Sequence, residues 1–188
     1  MLLLLGILLL LVAAFVGLKV YNNAQANKEE EAEGEIIIEM EYADTEIMSY
    51  DYEGETYNLE RVDDVWYVEG DHSQNVKQYR IKAMLSSVAP LIAEKTIENV
   101  TDFAQYGLET PQKTIVFGDD LEQYTIYVGD MNSLTSTYYI TLDLNGSTVY
   151  MVDTACVTRF NYGLEDLIEE TSEEASAENS AGASAETN

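Results

Sequence analysis

The chain has 188 residues, with 9 basic and 35 acidic side chains and a formal charge of −26. That imbalance argues against nucleic-acid binding, which needs Lys and Arg to neutralise phosphates. One cysteine and one histidine exclude an intramolecular disulfide framework, a multi-cysteine zinc site and a two-histidine metal motif.

The first eighteen residues, Met1 to Leu18, carry no charge. As a helix they would span about 27 Å, close to the roughly 30 Å hydrocarbon core of a bilayer. A buried core helix would show a polar side, and this run has none. Residues 1–21 are therefore read as a transmembrane signal-anchor. A secretory signal cleaved near Ala26, after Ala24-Gln25-Ala26, is the alternative. Lys19 and Lys28 follow the run and no base precedes it, so the positive-inside rule has little to count.

Residues 22–45 are read as an acidic stalk. From Glu29 to Glu46 there are nine acids and no base, a block that repels itself and extends. Cation capture by this block is a second reading, with nothing to order the carboxylates into a cage. Residues 165–188 mirror the stalk, with eight acids, no base, and nothing apolar larger than Ala after Ile168. Such a segment has too little to bury against its ordering entropy and is read as a disordered acidic tail.

Between them, residues 46–164 form the expected folded domain. Ile47–Tyr52 and Thr56–Arg61 flank Glu53-Gly54-Glu55 as a hairpin, and Val65–Val68 extends it to a three-stranded meander. Asp71-His72-Ser73 offers cap chemistry for a helix from about Asn75, with Val76, Ile81, Met84, Leu85 and Val88 on its apolar face. Lys77, Arg80 and Lys82 fall largely on the polar side, and Pro90 ends or kinks the helix. Ile92 to Val100 reads as an edge segment, and Thr101-Asp102 caps a short turn. Lys113–Phe117 and Gln123–Val128 flank Gly118-Asp119-Asp120. Tyr138–Leu142 and Thr148–Val152 flank Asn145-Gly146, a type I′ signal. Asp153-Thr154 caps a last helix carrying Val157 and Phe160. The expected fold is α+β, with antiparallel meanders and hairpins, one main helix and one or two short ones, preceded by the single transmembrane helix.

No residue set carries a catalytic motif. Asp143-Leu144-Asn145-Gly146 resembles part of a calcium loop, but Thr154 stands where the twelfth-position Glu should be, and a hairpin turn accounts for it. Asp63-Asp64 and Asp119-Asp120 are paired carboxylates at predicted turns, where Asp bonds its own backbone. His72 lies at the helix start, and Cys156 reads as a small buried hydrophobe. No Gly-rich phosphate loop occurs. Asn99-Val100-Thr101 and Asn145-Gly146-Ser147 match the glycosylation triplet. The fourteen tyrosines suit half-wet strands or, alternatively, a sugar-stacking or protein-binding surface. Alternation puts Tyr138, Ile140 and Leu142 on one face, and Tyr139, Thr141 and Asp143 on the other, towards solvent.

Asp64-Val65-Trp66-Tyr67-Val68, Tyr106-Gly107-Leu108-Glu109-Thr110-Pro111, Tyr127-Val128-Gly129-Asp130, Tyr138-Tyr139-Ile140 and Thr148-Val149-Tyr150-Met151-Val152-Asp153 follow one another in an order that resembles domain-of-unknown-function family 4340. The resemblance covers about Ile47 to Phe160. It implies an envelope protein displayed outside the cytoplasmic membrane, with some relatives associated with ABC-type transport systems, and it supplies no catalytic motif. The resulting expectation is a non-catalytic, membrane-tethered extracytoplasmic interaction module with an envelope protein partner, no enzyme activity, no cofactor, no metal and no nucleic acid. A wall-glycan or small-ligand binding domain using surface Tyr is one alternative, and a carboxylate-dependent enzyme is another.

Overall fold

The computed structural model describes residues 34–169. The transmembrane reading of 1–21 and most of the acidic tail lie outside them. Among the described residues, no helix is long and apolar enough to cross a membrane.

Strands β1 (Glu35–Ile38), β2 (Ile47–Tyr52), β3 (Glu55–Val62) and β4 (Val65–Val68) precede helix α1 (Gln78–Leu85). Then come β5 (Leu91–Ala93), β6 (Lys95–Ile97), β7 (Lys113–Gly118), β8 (Gln123–Asn132), β9 (Thr137–Thr141) and β10 (Val149–Asp153). Two one-turn helices, α2 (Ala155–Thr158) and α3 (Leu164–Leu167), close the described chain. Eight strands form one sheet in the order β4-β3-β2-β7-β8-β9-β10-β6, and β1 pairs with β5 in a second, two-stranded sheet. Every pairing in the large sheet is antiparallel. The expected α+β class and the β2-β3-β4 meander are present.

The boundaries at both ends of the domain need correction. Glu35–Ile38 is a strand inside the segment read as stalk, and Tyr42–Asp44 is a 3-10 turn. The charge density of the block obscured the triplet Ile36-Ile37-Ile38, whose last member is 1% exposed. At the other end, α3 and a bridge between Val76 and Ile168 lie inside the segment read as tail. Leu167 supplies the anchor, being fully buried in the core.

Turn chemistry sets the hairpin registers. The β2–β3 turn is two residues, Glu53 and Gly54, with φ 53° and 85°. The β3–β4 turn is Asp63 and Asp64, with φ 49° and 66°. Two successive positive-φ residues are the type I′ pattern that matches strand twist. The β9–β10 connection departs from the expected Asn145-Gly146 turn. It runs from 142 to 148, and Gly146 donates its N–H to the Asp143 carbonyl at 3.1 Å. The Asp143 side chain accepts from the Asn145 N–H at 2.8 Å, so the turn centres on Leu144-Asn145. An Asp two residues upstream outcompetes the Asn-Gly pair for the tight position.

One face of the sheet packs on α1 and the C-terminal segment. Met48, Tyr50, Leu59, Trp66, Ile115, Phe117, Ile126, Val128 and Ile140 meet Ile81, Met84, Leu85, Val88 and Phe160 there. On the opposite face a smaller cluster of Val100, Leu108 and Val149, with Phe103, Tyr106, Tyr127 and Tyr139 against it, covers the β8–β10 side. This cover corrects the expected solvent face of β9. Tyr139 is half-buried, with its ring 5.0 Å from that of Tyr106. Thr141 is 1% exposed and donates to the Thr148 carbonyl.

Two glycines make that cover possible. Between Val128 and Met131 the β8–β9 register shifts by one residue, a bulge at Gly129-Asp130. A Cβ on Gly129 would lie 2.1 Å from the Tyr106 carbonyl oxygen, and one on Gly107 (φ 71°) would lie 2.5 Å from the Asp130 side chain. Gln112 also donates its side-chain N–H to the Gly129 carbonyl. The Tyr106-Gly107-Leu108 and Val128-Gly129-Asp130 pieces, distant in sequence, are the two sides of one close backbone contact.

Candidate functional site

Strand alternation puts Lys113 in phase with Ile115 and Phe117, on the face that packs inward. Lys113 is 7% exposed there. Its Nζ donates to the Phe160 carbonyl at 2.7 Å and to Asn161 Oδ1 at 2.6 Å. It also sits 5.4 Å from the centroid of the Tyr52 ring. Both acceptors are neutral, and burial lowers its pKa to about 8, against a smaller opposing pull from Asp51. Beside it lies a cavity of about 380 Å³ lined by Asp51, Tyr52, Glu53, Gly54, Gln112 and Lys113.

Tyr50 works in parallel. Its hydroxyl donates to the Tyr162 carbonyl at 2.9 Å, and its ring meets Phe160 edge-on at 5.6 Å. Burial raises its pKa well above the usual phenol range. Arg80 lies 4.3 Å over the Tyr162 ring from the helix side. Lys113 and Tyr50 thus rise from the sheet and hold one short segment, Phe160 to Tyr162, across the end of the core.

Here a perturbed titratable group meets a cleft, the usual mark of a chemical site, as Cys156 also does in a cleft of about 280 Å³ beside Pro90 and Arg159. The bonding shows what the amine is used for. Two of its three protons are committed to the strap, so a reacting amine would first have to release Phe160 and Asn161. The Asp51 carboxylate on the cavity wall is committed too, accepting from Thr56 Oγ1 at 2.7 Å and from the Thr114 N–H at 3.1 Å. The arrangement fastens the C-terminal segment. The signal for it in the sequence is a Lys at an inward-facing strand position, which belongs to no catalytic motif.

The paired carboxylates do not converge. Their turns close β3–β4, β7–β8 and β9–β10 at the same end of the sheet. At about 4.8 Å per strand, the first two turns are about 14 Å apart and the last two about 10 Å. The carboxylate pairs of glycoside-cleaving enzymes stand roughly 5–9.5 Å apart, and pairs that share a proton stand closer still, at about 3 Å. Each is also used locally. Asp119 Oδ1 accepts from the Leu121 and Glu122 N–H groups, Asp143 from Asn145, and Asp64 meets Arg61 at 2.7 Å. No group of three or more His, Cys, Asp or Glu able to hold a metal occurs among the described residues.

His72 is not at the helix start, which lies at Gln78. Its Nε2 is 2.8 Å from Glu60 Oε1, and its ring stacks on Tyr67 with centroids 4.6 Å apart. The Gly70 N–H and then His72 lower the pKa of Glu60. Cys156 packs against the core, and burial pushes its thiol up to about 11. Of the described tyrosines, Tyr79 alone is largely exposed, at 67%. A row of exposed tyrosines along a groove is not formed among the described residues. Asn99 and Asn145 are both exposed, on neighbouring segments joined by the Val100 N–H to Ser147 carbonyl bond of 2.8 Å.

Residues 66–182 match the family described as domain of unknown function (DUF4340). The match opens at Trp66 and takes in α1, the Tyr106–Gly129 contact, Lys113 and the strap, leaving β2 and β3 outside it. No curated protein and no solved structure matches the chain.

Proposed function

The chain belongs to the DUF4340 family, whose function is unknown, and from that premise we propose a non-catalytic, membrane-tethered extracytoplasmic module that binds a protein partner in the envelope. The observation that carries the reading is the use made of the polar side chains. Tyr50, Asp64, Asp119 and Asp143 serve turns or the strap, and Lys113 and Asp51, which line one cavity, are each already bonded: Lys113 to Phe160 and Asn161, Asp51 to Thr56 and Thr114. Tethering rests on the uncharged run Met1–Leu18, long enough for a bilayer, followed by acidic residues that hold a domain off a surface. The partner proposed is a component of an envelope complex, of the ABC-type transport kind implied by the family resemblance.

Crosslinking in intact cells, followed by identification of the captured proteins, tests this. One or a few envelope proteins captured reproducibly, and lost when residues 34–169 are deleted, is the expected result. Capture of nothing beyond bulk lipid and wall material would overturn it.

A further inference from the structure

Helix α1 carries no acid, and in a chain of net charge −26 it gathers a rim of cations. Tyr79 and Ala83 occupy its exposed middle. Lys77 and Arg80 flank one side, Lys82 the other, and Arg159 reaches the Ala83 carbonyl at 2.9 Å. None of the four has a carboxylate partner among the described residues. Lys77 donates to the Asp166 main-chain carbonyl at 3.0 Å, Arg80 lies over the Tyr162 ring, and Lys82 is 5.8 Å from the Tyr42 ring centroid. The ion pairs the structure shows, Arg61–Asp64 and His72–Glu60, involve none of them.

The chain leaves the described domain beside this rim. Ile168 bridges Val76, and the Glu169 N–H donates to the Asn75 carbonyl at 2.8 Å, two residues before Lys77. The nineteen residues beyond, 170–188, hold five acids and no base. Glu173 lies four residues past Glu169, a reach of about 14 Å, whereas Lys77 to Lys82 spans about 7.5 Å along the helix. A partner tied on this closely acts at millimolar effective concentration.

We propose that the cationic rim of α1 docks the chain's own acidic C-terminal segment, with Glu170, Glu173, Glu174 and Glu178 facing Lys77, Arg80 and Lys82. The other occupants this surface could take are the same segment of a second copy and a separate acidic partner. Self-docking would screen the rim until such a partner displaces the segment.

The test is zero-length carbodiimide crosslinking of the full chain in detergent micelles, using an equal mixture of ¹⁵N-labelled and unlabelled protein. Lys77 and Lys82 are expected to link to Glu170, Glu173, Glu174 or Glu178 within chains of one isotope. In a variant with Glu170, Glu173, Glu174, Glu178 and Glu186 all changed to Gln, which leaves residues 34–169 untouched, acylation of Lys77 and Lys82 should quicken. The expected gain is about 1.5- to 5-fold, the range exposed ion pairs reach, with Lys95 unchanged. Links confined to carboxylates of residues 34–169, links joining the two isotopes, or unchanged acylation rates would each overturn the proposal.

Discussion

Lys113 shows how much one side chain decides here. Its amine is buried against two neutral acceptors, and burial brings its pKa down from an ordinary 10.5 to about 8. The sign of the linkage follows. Below pH 8 both states are protonated, and the folded state bears the full cost of a buried ammonium. Between 8 and 10.5 the unfolded chain keeps a proton the folded one has released, so stability rises with pH. Cys156, ordinarily near 9 and pushed up to about 11, and Tyr50, ordinarily near 10 and raised further, act in the opposite direction above those ordinary values. The clean window is therefore pH 8 to 9. Urea unfolding should show stability climbing there by up to about 1.4 kcal/mol per pH unit, and Lys113→Met should flatten the slope. A flat wild-type profile, or an unchanged slope in the variant, would contradict this account. The buried position of Lys113 was legible from its phase with Ile115 and Phe117. Its partners were not, because Phe160 and Asn161 lie more than 45 residues away and their placement depends on the path of the strap.

At the scale of elements, edge strand β4 illustrates both what local pattern reveals and what it hides. Val65–Val68 reads as a strand from composition, and it forms one. Its outer side would present unpaired backbone groups, a template for another chain. The Gln78 side chain covers them. Its Oε1 accepts from the Trp66 N–H and its Nε2 donates to the Trp66 carbonyl, both at 2.9 Å, so an amide side chain stands in for a neighbouring strand. Gln78→Ala should cost about 1–3 kcal/mol, the usual penalty for stranding such groups. It should also shift the protein towards dimers or larger species in size-exclusion chromatography. Unaltered stability together with a monomeric profile would remove this role for Gln78. Helix, meander and most hairpins were legible because period and turn residues agree locally. Three features were not. The β9–β10 turn is decided by Asp143 outcompeting Asn-Gly. The β1 triplet sits within a run of acids. The cover over Tyr139 and Thr141 needs a contact between Gly107 and the Gly129-Asp130 bulge that no local pattern encodes.

Over the whole molecule, charge has an address. Residues 47–164 carry 18 acids and 7 bases, and the remaining excess lies in the flanking segments. Within the domain the acids sit largely at turns, and four of the seven bases rim α1. Chemistry in the sequence was thus readable by type and misleading by proximity. Asp63-Asp64 and Asp119-Asp120 look like pairs, but type I′ and Asx geometry explains them one residue at a time. The proposed tethering to a membrane, with the domain facing away from the cytoplasm, belongs to this scale. Leu134, 94% exposed at the tip of the β8–β9 loop, is a suitable reporter site, and Cys156, with its thiol pushed up to about 11, is a quiet background. The decisive measurement is labelling of Leu134→Cys in intact cells with a membrane-impermeant maleimide, followed by membrane fractionation. Full labelling without permeabilisation, on protein that stays with the membrane through an alkaline wash, is the expected result. Labelling that requires lysis, or labelled protein recovered in the soluble fraction, would contradict it.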